Sequence, residues 1–365
     1  MFHLPGPGPY LLTHSVGCMP KAAEHAVREH FLGPWSRLGG DAWEEWLEAH
    51  EAFRRALAAL LGGSAAEYCP QPNVSAGLAT LLGSLPAPAP TRRVWVAAED
   101  SFPSLGFVLH QARRLGYELR LIPRSRSPAD ADSWAEALTH EVSGALITHV
   151  HSNTGEKAPV REIADLCAGR GVLSVVDIAH SAGIVPLDIS QLGADAVLGS
   201  CVKWLCGGPG AGFIWVRGSL IPSLDPLQVG WFSHESPFEF DIHSYRHAPD
   251  ARRLWGGTPT VVPFVAAAAS LEVLRGIGLG HIWTHNRALV ATFIRSLPDR
   301  WREKLARPPE GGTLCLDMGK ELLPVRTGLA RCGARFDSRG SVLRLSFHVC
   351  NSAEEAAMAA QAWPS

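Results

Sequence analysis

Three side chains near the middle of the chain have the types and spacing of groups that could form a catalytic site. A run of small and β-branched residues ends at Asp177, His180 follows three residues later, and Lys203 stands shortly before the glycine-rich segment 207–210. Ligands of open α/β sheets bind at the carboxyl edge of parallel strands, so we expect Asp177 and His180 to lie at such an edge. These residue types suit pyridoxal phosphate chemistry, in which a lysine forms a Schiff base with the cofactor.

The role of each group follows from elementary acid–base chemistry. A carboxylate at Asp177 would keep the pyridine nitrogen of the cofactor protonated through a charge-assisted hydrogen bond. The protonated ring then accepts electrons from the substrate's α-carbon. Lys203 must be able to lose its proton, and burial beside Val202, Trp204 and Leu205 would favour the neutral amine.

The elements that must position these residues follow from the pattern of apolar runs. An amphipathic helix is predicted over residues 41–61, where Gly62 and Gly63 supply a stop. After it, apolar runs alternate with helix-like segments, which predicts an α/β fold with a mainly parallel sheet covered on both faces. The predicted strands cover residues 93–97, 118–122, 145–150, 173–177, 196–198 and 212–216.

Changes in composition divide the chain into three parts. Residues 1–40 are rich in Gly, Pro and His and predict an irregular N-terminal arm that contributes to the small domain or lines the site. Residues 41–256 predict the large cofactor-binding domain. Residues 257–365 predict a small C-terminal α/β domain with an alanine-rich helix over 261–275 and strands near 313–316 and 342–347.

Composition excludes several classes of function. The 365 residues are 46% hydrophobic and 19% charged, with a net charge of −2, which favours a folded protein that does not bind nucleic acid. No apolar run reaches the about 20 residues that span a bilayer, and residues 1–10 lack the features of a secretory signal. We therefore expect a cytoplasmic protein. The eight cysteines and sixteen histidines show no metal-ligand spacing, so we expect no metal.

Several longer motifs agree with this chemistry and resemble those of bacterial kynureninases. These enzymes belong to the class V aminotransferase group of fold-type I pyridoxal phosphate enzymes. The similar motifs occupy residues 101–104, 148–155, 176–183, 202–210, 230–241 and 256–259, so the resemblance covers most of the chain. It implies a pyridoxal 5'-phosphate enzyme that cleaves a side-chain bond of a small-molecule α-amino acid and works as a homodimer with shared active sites.

The resemblance also implies roles for individual residues. Lys203 would be the Schiff-base lysine and would shuttle the proton at the α-carbon, Asp177 would pair with the pyridine nitrogen, and His180 would lie near the ring hydroxyl or the phosphate. Arg344 would bind the substrate carboxylate. The remaining positions would contact the ring or the phosphate, with Phe102 stacked on the ring and Thr258 contributed by the other subunit: Val74, Ser75, Phe102, Ser200, Trp231 and Thr258.

The sequence differs from the kynureninase pattern at three positions. Val202 stands where kynureninases carry a tyrosine that binds phosphate and assists proton transfer, and Leu105 stands where their motif has an aspartate. Cys350 replaces the aromatic residue usual before the late asparagine. The first two differences bear on whether the chain can hydrolyse kynurenine, and not on whether it binds the cofactor.

Other functions remain open on the same fold. Cys332, before Arg344, is similar in position to the nucleophilic cysteine of desulfurases, so a cysteine desulfurase or carbon–sulfur lyase is an alternative, and an aminotransferase is a third. A catalytically silent relative would have lost Lys203, which is present.

His149 and His151 alternate along a predicted strand, so only one of them can face the site.

Overall fold

The computed structural model describes residues 1–305, 308 and 310–364. Its α-helices are α1 Lys21–Val27, α2 Gly33–Leu38, α3 Trp43–Leu61, α4 Val74–Leu82, α5 Pro103–Gln111, α6 Ala131–Ala137, α7 Val160–Gly169, α8 Val262–Ile277, α9 Leu279–Ser296, α10 Asp299–Arg302, α11 Leu322–Arg331 and α12 Ala353–Gln361. Its strands are β1 Tyr68–Gln71, β2 Val94–Ala98, β3 Glu118–Ile122, β4 Val142–Thr148, β5 Leu173–Asp177, β6 Ala196–Ser200, β7 Gly212–Val216, β8 Thr313–Asp317, β9 Asp337–Arg339 and β10 Val342–Ser346.

Seven strands form one sheet in the order β1-β7-β6-β5-β4-β2-β3. Strands β6, β5, β4, β2 and β3 run parallel to one another, whereas β7 is antiparallel to β6 and β1 is antiparallel to β7. The carboxyl ends of β4 and β5 meet at one edge, where Thr148 pairs with Asp177. The predicted mainly parallel α/β sheet is confirmed, and Asp177 lies at the edge where ligands of such sheets bind.

Helices cover both faces of this sheet, which explains the nearly continuous apolar runs of its strands. Successive side chains of a strand point to opposite faces. Val176 accordingly packs in the core on one face with Phe53 of α3, whereas Val175 packs in the core on the other face with Leu78 of α4. Strand β1 was not predicted, because its four residues include Pro70 and show no alternation of polar and apolar side chains. It lies at one edge of the sheet, where a proline is tolerated.

The expectation of an irregular arm over residues 1–40 is wrong for its second half. Residues 21–38 form α1, a π-helical turn at Arg28–Leu32 and α2. These segments are too short to show a clear helical period of apolar residues in the sequence. Helix α1 is stabilised by packing, because it buries Ala23 and Ala26, and Ala26 packs with Val265 of α8. Residues 1–19 are irregular, with Tyr10 bridging to Arg335.

A second, three-stranded antiparallel sheet has the order β8-β10-β9 and packs with α9, α11 and α12. The predicted C-terminal strands are therefore present with nearly the expected bounds. Helix α8 packs on α3 and shares the core of the large sheet through Phe264 and Leu271. Helix α9 connects the two sheets, because its Ile282 lies in that core and its Phe293 lies in the core of the small sheet. Within the described residues, no single helix has the length and hydropathy to cross a membrane; α8 and α9 reach that level only together, and they are bent by 76°.

Candidate active site

Asp177 is the last residue of β5, and its carboxylate is buried at the sheet edge. The side chain is 3% exposed, and Oδ1 accepts a hydrogen bond of 2.9 Å from the Ala179 N–H. Burial raises the pKa of Asp177, while the positive charge of Lys203 acts in the opposite direction. A buried carboxylate of this kind is stabilised by a nearby cation, and a protonated pyridine nitrogen is such a cation.

Lys203 lies in the loop after β6, close to the aromatic ring of Phe102. Its Nζ is 5.5 Å from the centre of that ring. Burial lowers the pKa of Lys203 to about 8, with further lowering by Arg339 and Arg344 and an opposing effect of Asp177. About a tenth of this amine is therefore uncharged at pH 7, far more than of an ordinary lysine, and the neutral form is the nucleophile.

His180 lies one turn beyond Asp177 and is also buried. Its Nε2 is fully enclosed and has no hydrogen-bond partner among the described residues. Burial, followed by the charge of Lys203, keeps the pKa of His180 well below its ordinary value, so the imidazole is neutral. A buried nitrogen without a partner costs free energy unless a ligand supplies one, which fits a polar group of a cofactor at this place.

The N-terminus of α4 lies beside the end of β6 and could hold a phosphate. Val74 and Ser75 are the first two residues of this nine-residue helix, and Asn73 caps it by accepting from the Ala76 N–H at 2.9 Å. Backbone N–H groups at a helix N-terminus favour anions. These are the positions predicted for the phosphate.

A glycine allows this close approach of helix and sheet. Gly212 of β7 pairs with Ser200, the last residue of β6, and a Cβ atom on Gly212 would lie 2.9 Å from the Cα of Asn73. The structure therefore places Ser200 next to the start of α4. A lysine, a carboxylate, an aromatic ring and an anion-binding helix end are the groups that hold pyridoxal phosphate, and the residues present fit that cofactor.

Trp231 and Thr258 contact each other in a separate group of side chains. Trp231 Nε1 donates to Thr258 Oγ1 at 3.2 Å, and the indole packs against Trp43, Phe238 and Phe240 with ring centres 5.5, 5.6 and 5.8 Å away. Thr258 is exposed. The roles predicted for both residues at the phosphate stay predictions.

Arg344 lies on β10 and is 2% exposed, with its nitrogens already bonded within the chain. Nε donates to Asp337 Oδ1 at 2.8 Å, Nη2 donates to the other oxygen of Asp337, and Nη1 donates to the Ser152 carbonyl at 3.2 Å. His14 Nε2 lies 3.1 Å from the same Asp337 carboxylate. The Arg344 and His14 side chains hold the pKa of Asp337 well below its usual range against the effect of burial. Binding of a substrate carboxylate by Arg344 stays a prediction.

Arg339 is a basic residue at the site that the sequence did not single out. Its guanidinium carbon is 5.7 Å from the centre of the Phe102 ring, the ring that Lys203 also contacts. Nη1 donates to Ser152 Oγ and Asn153 Oδ1, both at 3.2 Å, and the residue is exposed. In the sequence it stands in a Ser-Arg-Gly turn typical of a surface hairpin, and only the folding of β9 onto β10 brings it to the site.

The structure distinguishes the two alternating histidines. His149 Nδ1 lies 2.9 Å from Ser181 Oγ, and burial lowers the pKa of His149 to about 4. His151 lies near Asp177, whose pKa it lowers, and its Nδ1 is 3.3 Å from an Asp100 carboxylate oxygen. His151 Nε2 has no hydrogen-bond partner among the described residues. His151 is therefore the histidine that faces the candidate site.

Two of the differences from the kynureninase pattern have a clear structural setting. Leu105 is fully buried in α5, where it belongs to an apolar cluster that includes Leu78 and Leu109. The carbonyl of Val202 accepts a hydrogen bond of 2.8 Å from the N–H of Gly17, so the N-terminal arm lies against the lysine loop. Leu105 thus packs in the core, where an aspartate would be poorly tolerated.

Cys332, the residue behind the desulfurase alternative, lies at the end of α11. Its Sγ donates to the Leu329 carbonyl at 3.1 Å, and its own carbonyl lies close to Gly8 of the arm.

Across the part of the chain that the structure describes, no group of three or more His, Cys, Asp and Glu side chains is arranged to hold a metal ion.

The comparisons with known proteins agree with this arrangement. The profile of the aminotransferase class-V family matches residues 41–357. A kynureninase of Deinococcus radiodurans is 31% identical over 95% of this chain and 86% of its own, and an uncharacterized aminotransferase, YcbU, of Bacillus subtilis is 28% identical over 95% and 93%. The solved structure of the cystine C–S lyase C-DES with cysteine persulfide is similar in fold, with a TM-score of 0.85, 20% identity and 97% of both chains covered.

Proposed function

This chain belongs to the aminotransferase class-V family and uses pyridoxal 5'-phosphate, and from that premise we propose that it is a hydrolase of kynureninase type. Its reaction would cleave a carbon–carbon bond in the side chain of an α-amino acid. Lys203 Nζ lies 5.5 Å from the centre of the Phe102 ring, beside buried Asp177, which supports binding of the cofactor. The observation that favours this reaction over others of the family is the 31% identity to a kynureninase.

The cofactor supplies an electron sink for the pair of electrons left when the α-proton is removed. Lys203 would hold the cofactor through its amine and, when freed from it, would accept and return the proton at the substrate α-carbon. Asp177 would keep a proton on the pyridine nitrogen, and Phe102 would pack on one face of the ring. His180, as a neutral imidazole, would hydrogen-bond a ring or phosphate oxygen.

The phosphate would be held by the start of α4. The N–H groups of Val74 and Ser75 and the hydroxyls of Ser75 and Ser200 are short polar groups suited to several anionic oxygens at once. Trp231 and Thr258 would also contact the phosphate. In the homodimer proposed below, Thr258 would do so in the active site of the neighbouring subunit.

The substrate carboxylate would be bound at the hairpin of β9 and β10, which carries two arginines. Arg344 is the arginine that the resemblance assigns, but Asp337 already occupies two of its nitrogens. Arg339 is exposed beside Phe102, so it can offer donors without breaking a buried ion pair. We assign Arg339 a direct part in binding the carboxylate and Arg344 a part in fixing the hairpin.

We also propose that the protein is a homodimer. Phe238, Phe240 and Ile242 follow Trp231 in the chain and are 51%, 75% and 90% exposed, and Thr258 is exposed beside Trp231. A cluster of apolar side chains at this exposure is typical of an interface. A second copy would cover it and bring Thr258 to a shared active site.

Cleavage of a carbon–sulfur bond is the second candidate. It is favoured by the similarity in fold to C-DES and by the presence of Cys332 near the arm. An aminotransferase is the third, because it uses the same lysine and aspartate. If Cys332 were a nucleophile, Cys332→Ala would stop the release of sulfide from cysteine, and unchanged release would remove that role.

One panel of substrates distinguishes the candidates. The cofactor-loaded enzyme is incubated separately with kynurenine, with 3-hydroxykynurenine, with cystine, and with an amino acid plus a keto acid. The proposal expects an anthranilate and alanine from the first two substrates as the fastest reaction. Faster release of persulfide from cystine, or faster formation of a new amino acid, would replace it with the second or third candidate.

The attachment point is tested separately from the activity. Borohydride reduction of the loaded enzyme should fix the cofactor on the peptide that contains Lys203, and Lys203→Ala should lose the visible absorbance of the bound cofactor. A cofactor fixed on another lysine would contradict the assignment.

A further inference from the structure

Two cysteines from opposite ends of the chain meet where the arm crosses the small domain. The Sγ of Cys350 donates to the Sγ of Cys18 at a distance of 3.6 Å, and both thiols are free. Cys18 is 4% exposed, and Cys350 is partly exposed. A small oxidant can therefore reach the pair from the side of Cys350.

The segments that carry these cysteines already contact each other and the lysine loop. Asn351 Nδ2 donates to the carbonyl of Tyr10 at 3.1 Å, which ties the turn after β10 to the arm. On the other side of Cys18, a Cβ atom on Gly17 would lie 2.2 Å from the carbonyl oxygen of Lys203. The two thiols thus lie where the arm, the lysine loop and the small domain come together.

The two thiols differ in acidity, and this difference indicates which of them an oxidant attacks first. The hydrogen bond from Cys350 lowers the pKa of Cys18, and the same contact together with burial raises the pKa of Cys350. The thiolate is the reactive form of cysteine. Cys18 is therefore suited to react first with an oxidant, and Cys350, whose sulfur lies 3.6 Å away, is placed to resolve the product.

We propose that Cys18 and Cys350 form a disulfide in response to a peroxide, which makes this pair a site of reversible oxidation that fastens the arm to the small domain. The Cys18 thiolate attacks one peroxide oxygen, the O–O bond breaks, and the second oxygen leaves as hydroxide, which takes up a proton to become water. The sulfur of Cys350 then displaces the hydroxyl of the Cys18 sulfenic acid. A second water leaves with the Cys350 proton, so two thiols are oxidised as one peroxide is reduced.

The geometry requires only a small movement for this bond. A disulfide has an S–S distance of about 2.05 Å, so the sulfurs must approach by about 1.5 Å, which a side-chain rotation together with a slight shift of the arm can supply. The bond would hold residues 1–19 over the lysine loop. The inference concerns the fold of the chain and does not rest on the proposed activity.

Thiol counting on the full-length protein tests the proposal. The protein is treated with hydrogen peroxide, unfolded, alkylated without reductant and weighed intact, and its peptides are mapped. We expect six alkylated thiols in place of the eight in the reduced protein, and a peptide pair joined through Cys18 and Cys350 that disappears with dithiothreitol. Cys206 is a buried free cysteine whose Sγ would lie 2.8 Å from a Cβ atom on Gly17, so it is the other possible partner of Cys18. Eight alkylated thiols, sulfinic acids without a link, or a link from Cys18 to Cys206 would overturn the proposal.

Matched variants separate this pair from general oxidation. Cys18→Ser and Cys350→Ser should each lose the linked peptides, whereas Cys332→Ser should keep them, because Cys332 is also partly exposed but bonds a carbonyl and not a thiol. Hydrogen exchange gives a readout that needs no variant. Amides of residues 10–19 should exchange more slowly after oxidation and recover with dithiothreitol; equal exchange in both states would contradict the fastening of the arm.

Discussion

The acidity of Lys203 determines when this site can take up its cofactor. Burial lowers the pKa of the amine to about 8, so the neutral, nucleophilic form increases as the pH rises through that value. We predict that apoenzyme and pyridoxal phosphate combine faster as the pH is raised from 6 to 8 and that the rate levels off above about pH 9. Absorbance stopped-flow measures this rate. A rate that still rises steeply between pH 9.5 and 10.5 would show an unperturbed lysine.

The exposed arginine beside Phe102 is a second residue whose role can be isolated. If Arg339 donates to the substrate carboxylate, Arg339→Gln should raise KM about tenfold, the size expected for one hydrogen bond to a charged group, and change kcat little. Arg331→Gln is the control, because Arg331 is exposed on α11 away from Phe102. Initial rates over a range of substrate concentrations give both constants. An unchanged KM would assign the carboxylate to Arg344 alone.

At the scale of elements, the junction of α4 with the sheet is the most sensitive point of the cofactor site. A Cβ atom on Gly212 would lie 2.9 Å from the Cα of Asn73, and backbone atoms cannot move aside as a flexible side chain can. Gly212→Ala should therefore displace the start of α4 and weaken the binding of pyridoxal phosphate by about tenfold or more.

Gly106 provides a matched control for this substitution. It lies within α5, and a Cβ atom there would have no neighbour within 4 Å, so Gly106→Ala should leave cofactor affinity unchanged. Titration of each apoenzyme with pyridoxal phosphate, followed by protein fluorescence, compares the two variants. Equal affinity in both would mean that the start of α4 does not hold the phosphate.

The strands next to Asp177 and Lys203 could be predicted from the sequence because most of their residues are apolar, and the edge strand at residues 118–122 because polar and apolar residues alternate at its start. The predicted strands at residues 118–122, 173–177 and 212–216 have the observed bounds. Arg339 could not be found in this way, because its contact with Phe102 arises from the packing of two distant segments. The same is true of the pairing of Asp337 with Arg344 and His14, which depends on the hairpin and the arm together.

At the scale of the whole molecule, the exposed apolar segment after Trp231 predicts a dimer. Ile242 is 90% exposed, so Ile242→Asp should not disturb the fold of one subunit, but it would bury a charge in an interface. We predict that this variant raises the dimer dissociation constant by about 30-fold or more, in the range of an interface hot spot. Phe107→Asp, at a residue 66% exposed on α5, should leave the dimer intact.

Sedimentation velocity over a range of protein concentrations measures these dissociation constants. A wild-type protein that stays monomeric at micromolar concentration would contradict the shared active site. A dimer that both variants leave unchanged would place the interface on another surface.

The measurement that tests the account most directly is the hydrolysis of kynurenine by the cofactor-loaded protein and by its Asp177→Asn variant. The wild type should release anthranilate and alanine in equal amounts, and the variant should be slower by about 10²-fold or more, because an amide cannot keep the pyridine nitrogen protonated. No anthranilate from a fully loaded wild type, or equal rates in the two proteins, would contradict the account.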